Sequence, residues 1–207
     1  LLTDREYQQV IVHSGEHSGY KVLGVDPAAG GDNSAIVLKS GNLQEVLFNQ
    51  KLQNTMDLVG VIMEKYRKYN ADFIVVDKTG VGQGVYDRLK DLGYPLRGVA
   101  FGEKSEDPMF RNLKAEWHWR ERKWLLSGGR LLSDFGSNEL EIVKYKNKDG
   151  VIEIEPKEHL ISKGIASPNV VDAAVLTQVI SDAIIRGIRV LHSNKFVDSP
   201  DKICRNG

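Results

Sequence analysis

The chain has 207 residues, of which 41% are hydrophobic, and its 28 basic and 28 acidic residues give a formal net charge of zero. This length predicts one domain with a full core and short appendages. A neutral chain excludes a protein whose whole surface attracts polyanions, so any nucleic-acid surface must be local. One cysteine, Cys204, excludes a disulfide within the chain, and no apolar run is long enough to span a membrane. We therefore expect a soluble intracellular protein without a membrane partner.

Residues 1–19 are polar and predict a lead-in or linker, with a short helix or an edge strand over residues 7–12. The first residue is leucine rather than methionine, so we expect an excised part of a longer polypeptide. A partner domain is then expected elsewhere in that polypeptide.

Three antiparallel strands are predicted next, over residues 21–26, 34–39 and 44–52. A Pro-Ala-Ala-Gly-Gly turn separates the first two strands, and a Gly-Asn pair between apolar runs predicts a hairpin between the second and third. The first strand ends in a carboxylate, Asp26. Because an isolated buried charge is costly, this carboxylate must be hydrogen-bonded, paired or metal-bound.

Helices and strands alternate in the following part of the chain. Apolar residues at helical spacing predict the helices, and short apolar runs predict the strands. The first of these strands resembles the first strand of the chain, since it also ends in aspartate before a glycine-rich turn. The predicted elements are a helix over residues 56–69, a strand over 72–77 that ends in Asp77, a helix over 82–92 and a strand over 96–101.

A basic helix is predicted over residues 109–127. Its aromatic and leucine side chains fall on one face, and most of its basic side chains lie elsewhere. Two interpretations stay open: a solvated face, or a surface that contacts phosphates. The basic residues are Arg111, Lys114, Arg120, Arg122 and Lys123.

Residues 140–157 predict an appended β-hairpin, in which two alternating arms flank an Asp-Gly turn. Its first arm and turn carry Lys144, Lys146 and Lys148. We expect this ribbon at the rim of a site.

The last core element is a helix over residues 169–188, which follows a Ser-Pro start signal. Its side chains are apolar nearly all round, so it must pack against the sheet. Asp172 is the exception, an acid among methyl groups. Residues 191–207 form a polar tail that we expect to be flexible.

Three acids thus stand in unusual places: Asp26, Asp77 and Asp172. If the strands that end in Asp26 and Asp77 are parallel neighbours, both acids emerge at one edge, and the last helix can supply the third. Three converging carboxylates stay ionised only beside divalent cations, and hard oxygen ligands suit Mg²⁺ or Mn²⁺. Each acid also has a purely structural alternative. Asp26 and Asp77 could bond the turns that follow them, and Asp172 could pair with a buried arginine.

Three sequence motifs carry a family resemblance. They are G-V-D-P-A-A-G-G-D-N-S-A-I, I-V-V-D-K-T-G-V-G and K-G-I-A-S-P-N-V-V-D-A-A-V-L. In this order and spacing they resemble the nuclease domain of the large terminase subunit of tailed bacteriophages, in the ribonuclease H-like superfamily. The resemblance implies an α/β fold with a mixed central sheet, three antiparallel strands followed by parallel strands, flanked by helices and carrying an appended hairpin. The nuclease domain would span residues 20–190.

The resemblance also implies site residues. Asp26, Asp77 and Asp172 match the family's catalytic metal-binding acids, and Asp32 matches an auxiliary acid. Asn169 stands where many members have aspartate, so it is not assigned as a ligand. The implied cofactors are two Mg²⁺ or Mn²⁺ ions, with Asp26 bridging them. The basic residues expected to contact DNA are Lys144, Lys146, Lys148, Lys163, Arg120 and Arg122.

The implied function is a metal-dependent endonuclease that cuts concatemeric double-stranded DNA during viral genome packaging, by two-metal phosphodiester hydrolysis. The sequence has no G-x-x-x-x-G-K-[ST], so the terminase ATPase domain is expected as a separate partner, with the small terminase subunit and the portal. The isolated domain is expected to be monomeric and to act at the procapsid in the host cytoplasm.

Three other classes of protein are alternatives to this interpretation. A resolvase of four-way DNA junctions is the nearest rival within the superfamily. A non-catalytic DNA-clamping or portal-docking module would have lost at least one of the three acids. An ATPase of the actin and sugar-kinase type would need a second domain and a second phosphate loop, which do not fit in 207 residues.

Overall fold

A seven-stranded mixed sheet forms the centre of the computed structural model, which describes residues 1–133, 135, 137–181 and 184. The strand order is β1-β7-β4-β3-β2-β5-β6, and β8 pairs with β9 in a separate hairpin. The strands are β1 (Ile11–Val12), β2 (Lys21–Asp26), β3 (Asn33–Ser40), β4 (Leu43–Lys51), β5 (Phe73–Asp77), β6 (Leu96–Val99), β7 (Arg130–Leu132), β8 (Tyr145–Lys148) and β9 (Val151–Ile154).

The first three long strands are antiparallel, and the later strands join the sheet in parallel. β3 pairs antiparallel with β2 and with β4, while β5 runs parallel to β2 and β6 runs parallel to β5. This arrangement confirms the predicted α/β fold. The helices are α1 (Asp4–Val10), α2 (Thr55–Tyr69), α3 (Gly82–Asp91), α4 (Leu113–Leu126), α5 (Ser137–Ile142), α6 (Lys157–Ser162) and α7 (Asn169–Leu176).

Two apolar clusters cover the two faces of the sheet. On β2, Leu23 and Val25 point into the cluster that α2 and α3 cover, and Val22 points into the opposite cluster with α4 and α7. This alternation is the expected pattern for a strand buried on both faces. Helix α7 lies so close to β2 that a Cβ atom at Gly24 would be 2.0 Å from the carbonyl oxygen of Ala173. Glycine at this position therefore sets the depth at which α7 packs.

The first residues of the chain contribute to the same core. Leu1, Leu2, Tyr7 and Val10 are buried in the cluster that contains α7, and β1 pairs with β7. Both a short helix and an edge strand occur in the segment where the sequence allowed either. Among the described residues, no helix is both long and apolar enough to cross a membrane.

The hairpin is shorter than predicted. Its turn at Asp149 and Gly150 is confirmed, with φ angles of 53° and 84°. The predicted start of the first arm was wrong, because residues 140–142 belong to α5, and α6 begins at the last residue of the predicted range. Tertiary packing overrides the alternating pattern there, since Leu140 is fully buried in the core. The Leu140 carbonyl also accepts a hydrogen bond from the Leu2 amide at 3.2 Å.

Two predicted helices were too long. The helix predicted from residue 109 begins at Leu113, because Asn112 caps it and residues 109–111 pair with β9 instead. The helix predicted over residues 169–188 ends at Leu176, and residues 177–180 form turns. Its predicted end, at residues 182–183 and 185–188, and the tail at residues 191–207 lie outside the described residues.

A buried carboxyl lies where α4, β4 and the end of α7 meet. Glu121 is fully buried, and its Oε2 accepts hydrogen bonds from Gln44 Nε2 at 3.1 Å and from Gln178 Nε2 at 2.6 Å. Burial raises the pKa of Glu121 to about 7, although these hydrogen bonds and the charge of Lys39 oppose the shift. The folded chain therefore holds a proton at pH values where the unfolded chain has released it.

This raised pKa predicts that the protein loses stability as the pH rises. Between about pH 4.5, the ordinary pKa of glutamate, and about pH 7, the folded state binds more protons than the unfolded state, so the free energy of unfolding falls, by about 3 kcal/mol in total. Glu121→Gln should remove this part of the slope between pH 5 and 8 in urea unfolding. Glu64→Gln, at an exposed position on α2, is the control. Equal slopes in wild type and Glu121→Gln would contradict the assignment.

Candidate active site

Two of the predicted acids lie side by side at one edge of the sheet. The parallel register of β2 and β5 pairs Val25 with Val76, so the next residues along the two strands, Asp26 and Asp77, are neighbours. Asp26 is only 6% exposed, although it ends its strand. The prediction that these strands are parallel neighbours is therefore confirmed, and it brings two carboxylates together.

The turn after β5 holds Asp77 in place. Its Oδ1 accepts a hydrogen bond from the Thr79 amide at 2.9 Å, which is the turn contact that the sequence allowed as an alternative role. Helix α3 begins close by, since a Cβ atom at Gly82 would be 1.8 Å from the Asp77 carbonyl oxygen. The close approach of α3 thus fixes the end of the strand.

The third acid, Asp172, is fully buried on the first turn of α7. It faces two side chains from α4. Lys114 Nζ lies 3.2 Å from both carboxylate oxygens, and His118 Nε2 lies 3.2 Å from Oδ1. The cation beside Asp172 is therefore a lysine, where the structural alternative had an arginine.

His118 is fully buried, and its Nδ1 is held by a hydrogen bond. Its Nδ1 donates a hydrogen bond to the Lys114 carbonyl oxygen at 2.8 Å, and its Nε2 points at Asp172. Burial lowers the pKa of His118, although the Asp172 carboxylate opposes the shift. His118 was not among the predicted site residues. The signal for it in the sequence is its spacing from Lys114, which places the two side chains one helical turn apart on the same face.

Asp32, the predicted auxiliary acid, contacts Asn169 at the start of α7. Asp32 Oδ1 accepts hydrogen bonds from Asn169 Nδ2 at 2.7 Å and from the Asn33 amide at 3.0 Å. Glu139 Oε2 accepts a hydrogen bond from the Val171 amide at 3.0 Å, so a second acid binds the start of α7. No sequence pattern indicated Glu139. Asp32, Glu139 and Asn169 line an open cavity of about 710 Å³.

The acids fit a divalent cation by their chemistry, because Asp26 and Asp77 present hard oxygen donors at one edge. Within the part of the chain that the structure describes, however, no three acidic, histidine or cysteine side chains are grouped closely enough to hold a metal ion. The Lys114 ammonium group provides the positive charge beside Asp172. A site with all three acids would require Asp172 to exchange this lysine for a metal ion.

The predicted DNA-contacting residues fall into two groups. Lys144, Lys146 and Lys148 are exposed around the hairpin. The others have acidic partners within the chain. Arg120 pairs with Glu116 at 2.6 Å, Arg122 with Glu6 at 2.7 Å, and Lys163 lies 3.5 Å from Glu155.

Comparison with known proteins identifies the family. Residues 23–164 match the family described as the terminase RNaseH-like domain. This match covers more than half of the chain. The chain therefore belongs to the terminase RNaseH-like domain family. None of the curated proteins matches it.

Solved structures show the same fold. The nuclease domain of the large terminase subunit gp2 of bacterial virus Sf6 is 18% identical, with a TM-score of 0.65 over 78% of this chain and 89% of that one. A mutant of the Sf6 domain with manganese is 17% identical, with a TM-score of 0.64 over 78% of this chain and 89% of that one. The large terminase nuclease from thermophilic phage G20c with bound magnesium is 15% identical, with a TM-score of 0.61 over 83% and 93%.

Proposed function

We propose that this chain is the metal-dependent DNA endonuclease domain of a phage terminase, and that it cuts concatemeric double-stranded DNA. The observation that carries the proposal is the pair of carboxylates, Asp26 and Asp77, on adjacent parallel strands. Its structural relatives are nuclease domains of large terminase subunits, and some of their structures contain manganese or magnesium. Family membership and the paired acids therefore support the same chemistry.

We assign the metal-holding residues as follows. Asp26 is the central ligand, because it lies between β3 and β5 in the sheet. Asp77 and Asp172 would each hold one of two Mg²⁺ or Mn²⁺ ions, and Asp32 would be an auxiliary ligand held through Asn169. Two such ions would activate water on one side of the phosphate and stabilise the leaving 3′ oxygen on the other.

The exposed hairpin lysines, Lys144, Lys146 and Lys148, would contact phosphates beside the acids. Arg120, Arg122 and Lys163 would reach DNA only by leaving or sharing their acidic partners, so their contribution should be smaller. With zero net charge, the isolated domain should bind DNA weakly and in a salt-sensitive way. We propose that the terminase ATPase domain, the small subunit and the portal supply the remaining contacts, and that the domain is monomeric by itself in the host cytoplasm.

Plasmid cleavage tests the proposal. Supercoiled plasmid is incubated with the chain in Mn²⁺, in Mg²⁺ or in EDTA, alongside a synthetic four-way junction and a linear duplex of the same sequence. Nicking and linearisation that need metal, with no preference for the junction, are the expected result. Strong preference for the junction would favour a resolvase. DNA binding without cleavage in either metal would overturn the nuclease proposal.

A non-catalytic clamping module is the second candidate, and one observation favours it. The Lys114 contact gives Asp172 a counter-charge without any metal. Under this alternative, DNA binding would be insensitive to EDTA and no cleavage would occur.

A further inference from the structure

Helix α4 brings two side chains to one carboxylate. Lys114 and His118 lie one turn apart, and each has a nitrogen 3.2 Å from Asp172 Oδ1. The His118 and Asp172 side chains are both fully buried, whereas Lys114 is 18% exposed. The lysine can therefore move toward solvent, while the imidazole and the carboxylate are held in place.

His118 Nε2 faces Asp172, and the hydrogen bond at Nδ1 determines whether Nε2 is a donor or an acceptor in the neutral ring. A backbone carbonyl only accepts hydrogen bonds, so Nδ1, 2.8 Å from the Lys114 oxygen, must carry a hydrogen. The neutral ring then directs the lone pair of Nε2 toward Asp172. Among the described residues, Nε2 makes no well-aligned hydrogen bond, and the nearest charged oxygen, Asp172 Oδ1, lies 3.2 Å away. An imidazole lone pair and a carboxylate oxygen repel each other unless a proton or a metal ion lies between them.

We propose that His118 Nε2 is a nitrogen ligand of the divalent ion that Asp172 holds. The inference rests on the proposed function, because it requires a metal at Asp172. Metal-binding histidines usually donate one ring N–H to a carbonyl or carboxylate and bind the metal through the other nitrogen. His118 has its Nδ1–H on a backbone carbonyl, and its Nε2 faces the carboxylate that would share the ion. Lys114 supplies the charge at this position before the metal binds and moves aside when it binds.

A nitrogen ligand makes the site selective. Mg²⁺ prefers oxygen ligands, whereas Mn²⁺ and especially Co²⁺ bind imidazole more readily. The site at Asp172 should therefore prefer Mn²⁺ or Co²⁺ to Mg²⁺. Loss of the imidazole should weaken Mn²⁺ binding at this site about ten-fold and should change Mg²⁺ binding less.

Pulsed electron paramagnetic resonance of the Mn²⁺-loaded chain tests the inference without measuring activity. A directly bound imidazole adds a nitrogen coupling to the electron spin echo, and this coupling should change when histidine is labelled with the heavier nitrogen isotope. His118→Gln should abolish the coupling while Mn²⁺ still binds. His159→Gln, at an exposed position on α6, should keep it.

The outcomes separate the two proposals. Bound Mn²⁺ without a nitrogen coupling in wild type, or a coupling that survives in His118→Gln, would overturn the role of His118 and leave the metal site intact. No Mn²⁺ binding at all would overturn the proposed function together with this inference. Isotope labelling of the wild-type chain keeps the test valid even if His118→Gln fails to fold.

Discussion

Asp26→Asn should reduce metal-dependent plasmid cleavage by about a thousand-fold, because a central metal ligand supports several kcal/mol of transition-state stabilisation. Asparagine keeps the size of the side chain and removes its charge. The rate of conversion of supercoiled to nicked plasmid, in Mn²⁺ and in Mg²⁺, measures the effect.

A surface substitution of the same kind provides the control. Asp91→Asn changes an exposed aspartate at the end of α3 and should leave cleavage unchanged. Urea unfolding should show that Asp26→Asn is folded, since the substitution removes a charge beside the Asp77 carboxylate. If folded Asp26→Asn cleaves at the wild-type rate, Asp26 is not the central ligand.

Gly24→Ala should have the largest effect on stability, a loss of about 3 kcal/mol or more in the free energy of unfolding. The added Cβ would lie 2.0 Å from the Ala173 carbonyl oxygen and 2.9 Å from Thr177 Cγ2, so α7 would have to move away from β2. Asp172 would move with α7, so cleavage should fall as well. Urea unfolding and plasmid cleavage together measure both effects.

Gly60→Ala is the matched control, because it adds the same methyl group where nothing lies within 4 Å. Gly60 is inside α2, where alanine is the better helix former, so this variant should gain up to about 1 kcal/mol. The same change thus has opposite expected signs at the two positions. Unchanged stability in Gly24→Ala would show that α7 is not held by this contact.

The sequence was sufficient to predict the part of the site that the sheet builds. The order of strands and the apolar runs before Asp26 and Asp77 predict that these two acids are neighbours, because parallel strands end at the same edge of a sheet. The side chains around Asp172 could not be predicted. Lys114 is 58 positions away in the chain, and only the packing of α4 on α7 brings the two together.

The errors have a common physical cause, which is tertiary packing that overrides local patterns. The residues of α5 alternate enough to resemble a strand, but the buried Leu140 and the contact of Glu139 with α7 require a helix there. The strands β1 and β7 have only two and three residues, too short for a periodic signal. Asn112 was a capping signal that the prediction of a helix from residue 109 did not use.

The separation between Asp26 and Asp77 is a property of the backbone. Asp26 and Asp77 are the last residues of the paired strands β2 and β5. Main-chain hydrogen bonds between these strands therefore hold the two Cα atoms at the distance between neighbouring strands, about 4.8 Å. Repacking of side chains in the core changes this distance little. The position of Asp172 depends instead on how a helix rests on a glycine. The site therefore combines two acids whose spacing is set by the sheet with a third acid whose position changes whenever the packing of α7 changes.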